Sequence, residues 1–87
     1  MLPEHYLDRG PRLPVAMPAV ITTAGNELID VIVTNLSSEG FAVEIPRSVL
    51  IGSDVTLSAP EIGERRATIR WALGSRLGGR FIKASGG

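Results

Sequence analysis

Short runs in which apolar and polar residues alternate make up most of this chain of 87 residues. A period of two is typical of β-strands with one buried face, because successive side chains point to opposite sides. Six such runs occur, at residues 15–23, 28–34, 41–45, 55–58, 66–73 and 77–82. Turn-forming pairs such as Gly25-Asn26, Gly52-Ser53 and Gly74-Ser75 separate them, and no segment sustains a helical period. The pattern predicts an all-β fold.

Six short strands in one small domain favour an antiparallel barrel, because closure removes the exposed edges of an open sheet. Pro14 and Pro18 in the first strand favour a strand start or an edge position, since proline cannot donate a ladder hydrogen bond. In the fifth run, Ile69, Trp71 and Leu73 fall on the same face, which favours a core position for Trp71. The chain contains no cysteine, so the fold depends on its hydrophobic core alone.

The domain organisation follows from the two ends of the chain. We expect a flexible N-terminal arm over residues 1–11, the barrel over residues 12–83 and a disordered tail over residues 84–87. The first residues lack the basic and apolar regions of a secretory signal. No stretch reaches the roughly 20 apolar residues that a membrane span needs. These features predict a cytoplasmic protein without membrane insertion.

Charged residues are balanced in number but separated along the chain. Residues 1–64 contain all nine acidic residues and three arginines, whereas residues 65–87 contain six basic residues and no acid. Overall neutrality excludes a polycation of the histone kind. Two interpretations stay open: the two halves pair across the fold, or a few arginines line an anion site, for which the planar guanidinium is well suited.

Residue sets typical of enzymes are missing from the sequence. His5 is the single histidine and lies in the predicted arm, where a solvated side chain is the simplest interpretation. No acidic or histidine cluster has metal-site spacing, and no phosphate-binding loop of the P-loop type is present. We therefore expect a binding domain that is not an enzyme and has no cofactor or metal.

Two segments carry groups that suit ligand binding. Arg9 and Arg12 flank Gly10-Pro11, which discourage a helix and place the arginines on an extended arm. The predicted loop over residues 35–40, with the sequence Asn-Leu-Ser-Ser-Glu-Gly, offers an amide, two hydroxyls and a glycine. The alternative for the loop is a purely local role, because Asn and Ser in turns often cap their own backbone.

In this order, the segments resemble the PilZ domain family. Arg12 and the residues after it look like the second arginine of the family's Arg-x-x-x-Arg motif and the strand that follows. Residues 35–40 match the family's Asp/Asn-x-Ser-x-x-Gly motif in full. Residues 69–71 and 79–81 are similar to its closing pair of strands. The resemblance implies a six-stranded antiparallel β-barrel that binds the bacterial second messenger cyclic di-GMP.

The resemblance also implies roles for individual residues. Arg9 and Arg12 would grip guanine or phosphate oxygens. Asn35 and Ser37 would hydrogen-bond the second guanine or the ribose–phosphate ring, and Gly40 would let the loop approach the ligand. Trp71 would stack on a base if it lies near the barrel rim, which is the alternative to its core position. The arm would order over the ligand and signal to a protein partner; DNA binding is not expected.

The sequence departs from the family motif at its first arginine. Counting back from Arg12, that arginine corresponds to position 8, which is Asp8 here, with Arg9 one residue later. Loss of one bidentate arginine contact costs about 1–3 kcal/mol, or roughly 5- to 150-fold in affinity. A ligand-free adaptor that binds a protein partner is therefore the alternative to a receptor. An RNA-binding barrel is a weaker alternative, because few aromatic residues are available for stacking.

Overall fold

The computed structural model describes residues 13–83 as six antiparallel strands. The predicted arm and tail, with Arg9 and Arg12, lie outside the described residues. The strands are β1 (Leu13–Thr23), β2 (Leu28–Leu36), β3 (Gly40–Glu44), β4 (Asp54–Ala59), β5 (Gly63–Leu73) and β6 (Arg76–Phe81). No helix capable of crossing a membrane occurs in this part of the chain.

The six strands close into a barrel in the order β1-β2-β3-β6-β5-β4, with β4 pairing back to β1. The predicted all-β, six-stranded antiparallel barrel is therefore confirmed. β1 is not an edge strand, but both of its prolines lie outside the part of β1 that pairs with β4. Residues 20–23 pair with β4, while Pro14 and Pro18 lie in the first part, which pairs with β2. Their missing N–H groups therefore remove no hydrogen bond from the β1–β4 ladder.

The barrel interior is filled by the apolar side chains that alternate along the strands. Ile29, Val31 and Val33 of β2 are buried as their spacing predicts, and so are Val55 and Leu57 of β4. The core cluster consists of Ala19, Ile21, Ile29, Val31, Val33, Phe41, Val43, Ile45, Val55, Leu57, Ala59, Ala67, Ile69, Leu77 and Phe81. Every strand thus contributes to one continuous core, as expected for a chain with no disulfide.

The second half of β5 departs from the predicted alternation. Ala67 and Ile69 are fully buried, but Trp71 is 40% exposed and Leu73 is 78% exposed. The cause is a β-bulge: Ile69 lies opposite Gly79 and Trp71 opposite Gly78, which leaves Arg70 as an extra residue. An extra residue shifts all later side chains to the other face of the strand. The predicted core position of Trp71 and Leu73 is therefore wrong.

The turns contain the residues that the sequence predicts. The β1–β2 hairpin turns at residues 24–27, where Asn26 adopts a φ of 69° and its N–H bonds to the Thr23 carbonyl. Gly74 adopts a φ of 61° between β5 and β6. Both angles lie in the left-handed region that favours Gly and Asn. These tight connections fix which strands become neighbours in the barrel.

Candidate ligand-binding site

The turn between β2 and β3 is organised by the hydroxyl of Ser37. Its Oγ accepts hydrogen bonds from the N–H groups of Glu39 (3.2 Å) and Gly40 (3.1 Å). The Ser37 N–H donates to the Gly40 carbonyl at 2.9 Å. The N–H of Phe81 donates to the Glu39 carbonyl at 2.8 Å, which ties the turn to the end of β6. Ser37 thus has the local capping role that its residue type favours.

Gly40 lets β3 and β6 come together at the end of this turn. A Cβ atom at position 40 would lie 2.4 Å from the carbonyl oxygen of Gly79, which is far closer than atoms of this kind approach. The obstacle is backbone, so it cannot rotate away. The glycine that ends the 35–40 motif is therefore required by strand contact, whether or not a ligand also approaches it.

The β5 bulge turns Arg70 and Trp71 outward over β6. Both side chains are exposed, and the indole of Trp71 lies directly against Gly78, where a Cβ atom would be 2.1 Å from Trp71 Nε1. The following residue, Gly79, faces the other way, because its Cβ atom would lie 2.9 Å from the buried ring of Phe41. The indole therefore covers the backbone of β6 at Gly78 and leaves part of its surface open to solvent.

These elements form an open cleft on the outer face of the barrel, with a volume of about 390 Å³. We call it the β3–β6–β5 cleft. Its lining residues are Ser37, Glu39, Gly40, Phe41, Arg70, Trp71, Gly79 and Arg80. It therefore combines two guanidinium groups, one carboxylate, a hydroxyl and an indole. Such a set suits a ligand that is both anionic and aromatic.

The ion pair between the charged side chains of the cleft is weak. Arg80 and Glu39 approach each other at 3.9 Å, and both side chains are mostly exposed. Ion pairs of this kind contribute about 0–1 kcal/mol. None of the ion pairs within residues 13–83 involves Arg70. Over the same residues, no group of acidic or histidine side chains could hold a metal ion.

Other basic residues of the second half are engaged elsewhere. The guanidinium carbon of Arg65 lies 4.2 Å from the centre of the Phe81 ring. Arg66 approaches Asp54 at 3.6 Å on the neighbouring strand. Arg47, from the acidic half, pairs with Glu27. Pairing between the two halves is thus observed for Arg66 and Arg80, whereas an anion site stays a prediction, for which Arg70 and Arg80 line a cleft.

The structure brings together three of the six predicted site residues. Ser37, Gly40 and Trp71 all line the β3–β6–β5 cleft. Asn35 does not line it; this residue is half-buried in β2, opposite Ala42 of β3, just after a bulge at Thr34. Arg9 and Arg12 belong to the part of the chain that is not described.

Sequence reasoning missed five residues of the cleft: Glu39, Phe41, Arg70, Gly79 and Arg80. Arg80 could have been found from strand pairing, because it lies opposite Gly40 of the motif in β3 and opposite Thr68 in β5. The position of Arg70 depends on a bulge, for which the alternation of β5 gives no signal. The charge pattern left an anion site as one of two interpretations and did not single out Arg70 and Arg80.

Comparison with known proteins agrees with this architecture. No curated protein matches the chain. A solved structure, the PilZ domain of CeSA from a cellulose-synthesizing bacterium, superposes with a TM-score of 0.74 at 20% sequence identity, over 87% of this chain and 84% of that one. A family model described as PilZ domain matches residues 7–86, which is nearly the whole sequence. The chain therefore belongs to the PilZ domain family.

Proposed function

We propose that this domain binds cyclic di-GMP in the β3–β6–β5 cleft and closes its N-terminal arm over the ligand. Cyclic di-GMP carries two guanines and two phosphates. Guanine offers the O6 and N7 acceptors to an arginine fork, and phosphate oxygens accept from the same group. A base stacked on an exposed aromatic ring gains about 1–3 kcal/mol. The cleft offers both kinds of contact, through Arg70, Arg80 and Trp71.

The observation that carries this proposal is the register between the start of β1 and the end of β2. Leu13 lies opposite Leu36 and Pro14 opposite Asn35. The covalent attachment point of the arm is therefore beside the turn that begins at Ser37, at the edge of the cleft. Arg12 is bonded directly to Leu13 and Arg9 is three residues further back. We therefore expect both arginines to contact a ligand held by that turn.

The 35–40 turn has a separate part in this proposal. Its backbone is held rigid by Ser37 and by the contact of Gly40 with β6. A preorganised turn loses little entropy when it binds, which favours affinity. The arm, in contrast, would lose conformational freedom on closing. The closed arm would then present a surface that a protein partner can distinguish from the open form.

Calorimetry with cyclic di-GMP tests this proposal. We expect binding in the micromolar range, which corresponds to about −8 kcal/mol, and we expect the double variant Arg9→Ala/Arg12→Ala to abolish it. Arg47→Ala is the matched control, because Arg47 also carries a positive charge but pairs with Glu27 in the β1–β2 hairpin turn, at the opposite end of β2 from Ser37. Absence of heat at about 100 μM ligand with folded protein would reject the proposal.

The second candidate function is an adaptor that binds a protein without cyclic di-GMP, and Asp8 is the observation that favours it. A carboxylate at position 8 repels phosphate and competes for Arg12. Asp8→Arg tests the two candidates against each other. A receptor gains affinity for cyclic di-GMP when this arginine is supplied, by roughly 5- to 150-fold. An adaptor whose cleft no longer fits the ligand shows no binding in either form.

A further inference from the structure

We infer that the barrel supplies its own cationic anchor for the dinucleotide, formed by Arg70 and Arg80, and that Glu39 competes with the ligand for Arg80. This inference rests on the proposed function. Neither residue belongs to the arginine motif of the arm or to the 35–40 motif of the turn. The anchor would contact a phosphate or a guanine edge of the ligand and would supply the positive charge that Asp8 removes from the arm.

The β5 bulge explains why Arg70 reaches the cleft. Because Arg70 is the extra residue between the pairs Ile69–Gly79 and Trp71–Gly78, it has no partner on β6. Bulges re-aim side chains in this way. Gly78 has no side chain, so the indole of Trp71, the next residue after Arg70, lies over the backbone of β6. The β5 bulge thus places the guanidinium of Arg70 next to the indole of Trp71.

Arg80 is available because its ion pair is weak. Its 3.9 Å contact with Glu39 joins two side chains that are 63% and 76% exposed. A pair of this kind is easily replaced by a phosphate, which carries a full charge and accepts two hydrogen bonds from the arginine fork. Glu39 then remains as a negative charge beside the bound anion. The carboxylate therefore lowers the affinity of the cleft for an anionic ligand.

The neighbouring arginines provide a contrast on the same strand. Arg66 is as exposed as the cleft arginines, but it faces Asp54 of β4, and Arg65 covers the ring of Phe81. Neither lines the cleft. The arginines of this basic segment therefore have different surroundings. We expect substitution of Arg66 and of Arg70 to have different effects on ligand binding.

The test is a titration of the unmodified domain and three variants with cyclic di-GMP, by calorimetry and by the fluorescence of the single tryptophan. Arg70→Gln should weaken binding at least about fivefold, the lower bound for one lost arginine fork. Arg66→Gln removes the same charge from the same strand and should change the affinity less than about twofold. Glu39→Gln should tighten binding severalfold, because it frees Arg80 and removes the repulsion.

The outcomes separate the anchor from the proposed function. If the unmodified domain binds and Arg70→Gln and Glu39→Gln bind equally well, the anchor is rejected while the receptor function stands. If Arg66→Gln weakens binding as much as Arg70→Gln, the effect is general electrostatics and the anchor is again rejected. If the unmodified domain does not bind, the proposed function fails and the anchor with it. Circular dichroism melts confirm that each variant is folded, and a fourth variant, Arg70→Lys, keeps the charge at this position but lacks the arginine fork.

Discussion

Trp71 is the residue on which the geometry of the cleft depends most. It is the single tryptophan of the chain, its indole contacts Gly78, and the residue is 40% exposed. A glycine opposite a large aromatic residue lets the ring cover the backbone of the neighbouring strand. The ring is thus in contact with the barrel and partly exposed. Partial exposure is a requirement of the base stacking proposed for Trp71.

The contact between Trp71 and Gly78 can be tested by Gly78→Ala. The added methyl would lie 2.1 Å from Trp71 Nε1, so the indole must move away from β6. We expect a loss of about 1–3 kcal/mol in the free energy of unfolding, as for other overpacked sites, together with a changed tryptophan emission. Urea unfolding and fluorescence spectra measure both. Gly25→Ala is the matched control, because its Cβ would meet only Thr23 Oγ1, at 3.9 Å.

A second test concerns the hydroxyl of Ser37, which organises the β2–β3 turn. Ser37→Ala removes the acceptor of two backbone N–H groups in the β2–β3 turn. The expected cost is about 0.5–2 kcal/mol of folding free energy, the usual range for a lost capping group, measured by urea unfolding. Ser38→Ala, at the exposed neighbouring position, should leave stability unchanged. Equal stability of the two variants would show that the hydroxyl does not organise the turn.

At the scale of single strands, regular alternation was predictable and the bulge was not. The buried positions of Ile29, Val31 and Val33 follow from sequence, because β2 keeps its register over that stretch. The bulge in β5 reverses the faces of Trp71 and Leu73. A bulge is defined by the pairing of two strands, here β5 and β6, and the pattern of one strand does not contain that information.

Alanine substitutions in two strands test this account of β5. Leu57→Ala in β4 removes a fully buried side chain and should cost about 2–5 kcal/mol of the free energy of unfolding. Leu73→Ala should cost less than about 0.5 kcal/mol, because the side chain is 78% exposed. Chemical unfolding of both variants provides the comparison. A large loss for Leu73→Ala would mean that β5 has no bulge and that Trp71 is in the core.

At the scale of the whole molecule, closure of the barrel explains where a ligand can bind. The interior is filled with apolar side chains, so the outer face must supply any site. The cleft combines the β2–β3 turn with β5 and β6, segments that are about 30 to 40 positions apart in sequence. Family resemblance identified Ser37 and Gly40 because they share one short motif. Arg70 and Arg80 become neighbours of that motif only when the strands pair.

The role of the arm is the central claim about the whole molecule, and nuclear magnetic resonance tests it most directly. Cyclic di-GMP is titrated into the labelled full chain while the amide signals of all residues are followed. We expect shifts concentrated at residues 37–41, 70–71 and 79–80, together with shifted signals from Arg9 and Arg12. Shifts confined to the opposite end of the barrel, or unchanged signals at saturating nucleotide, would contradict it.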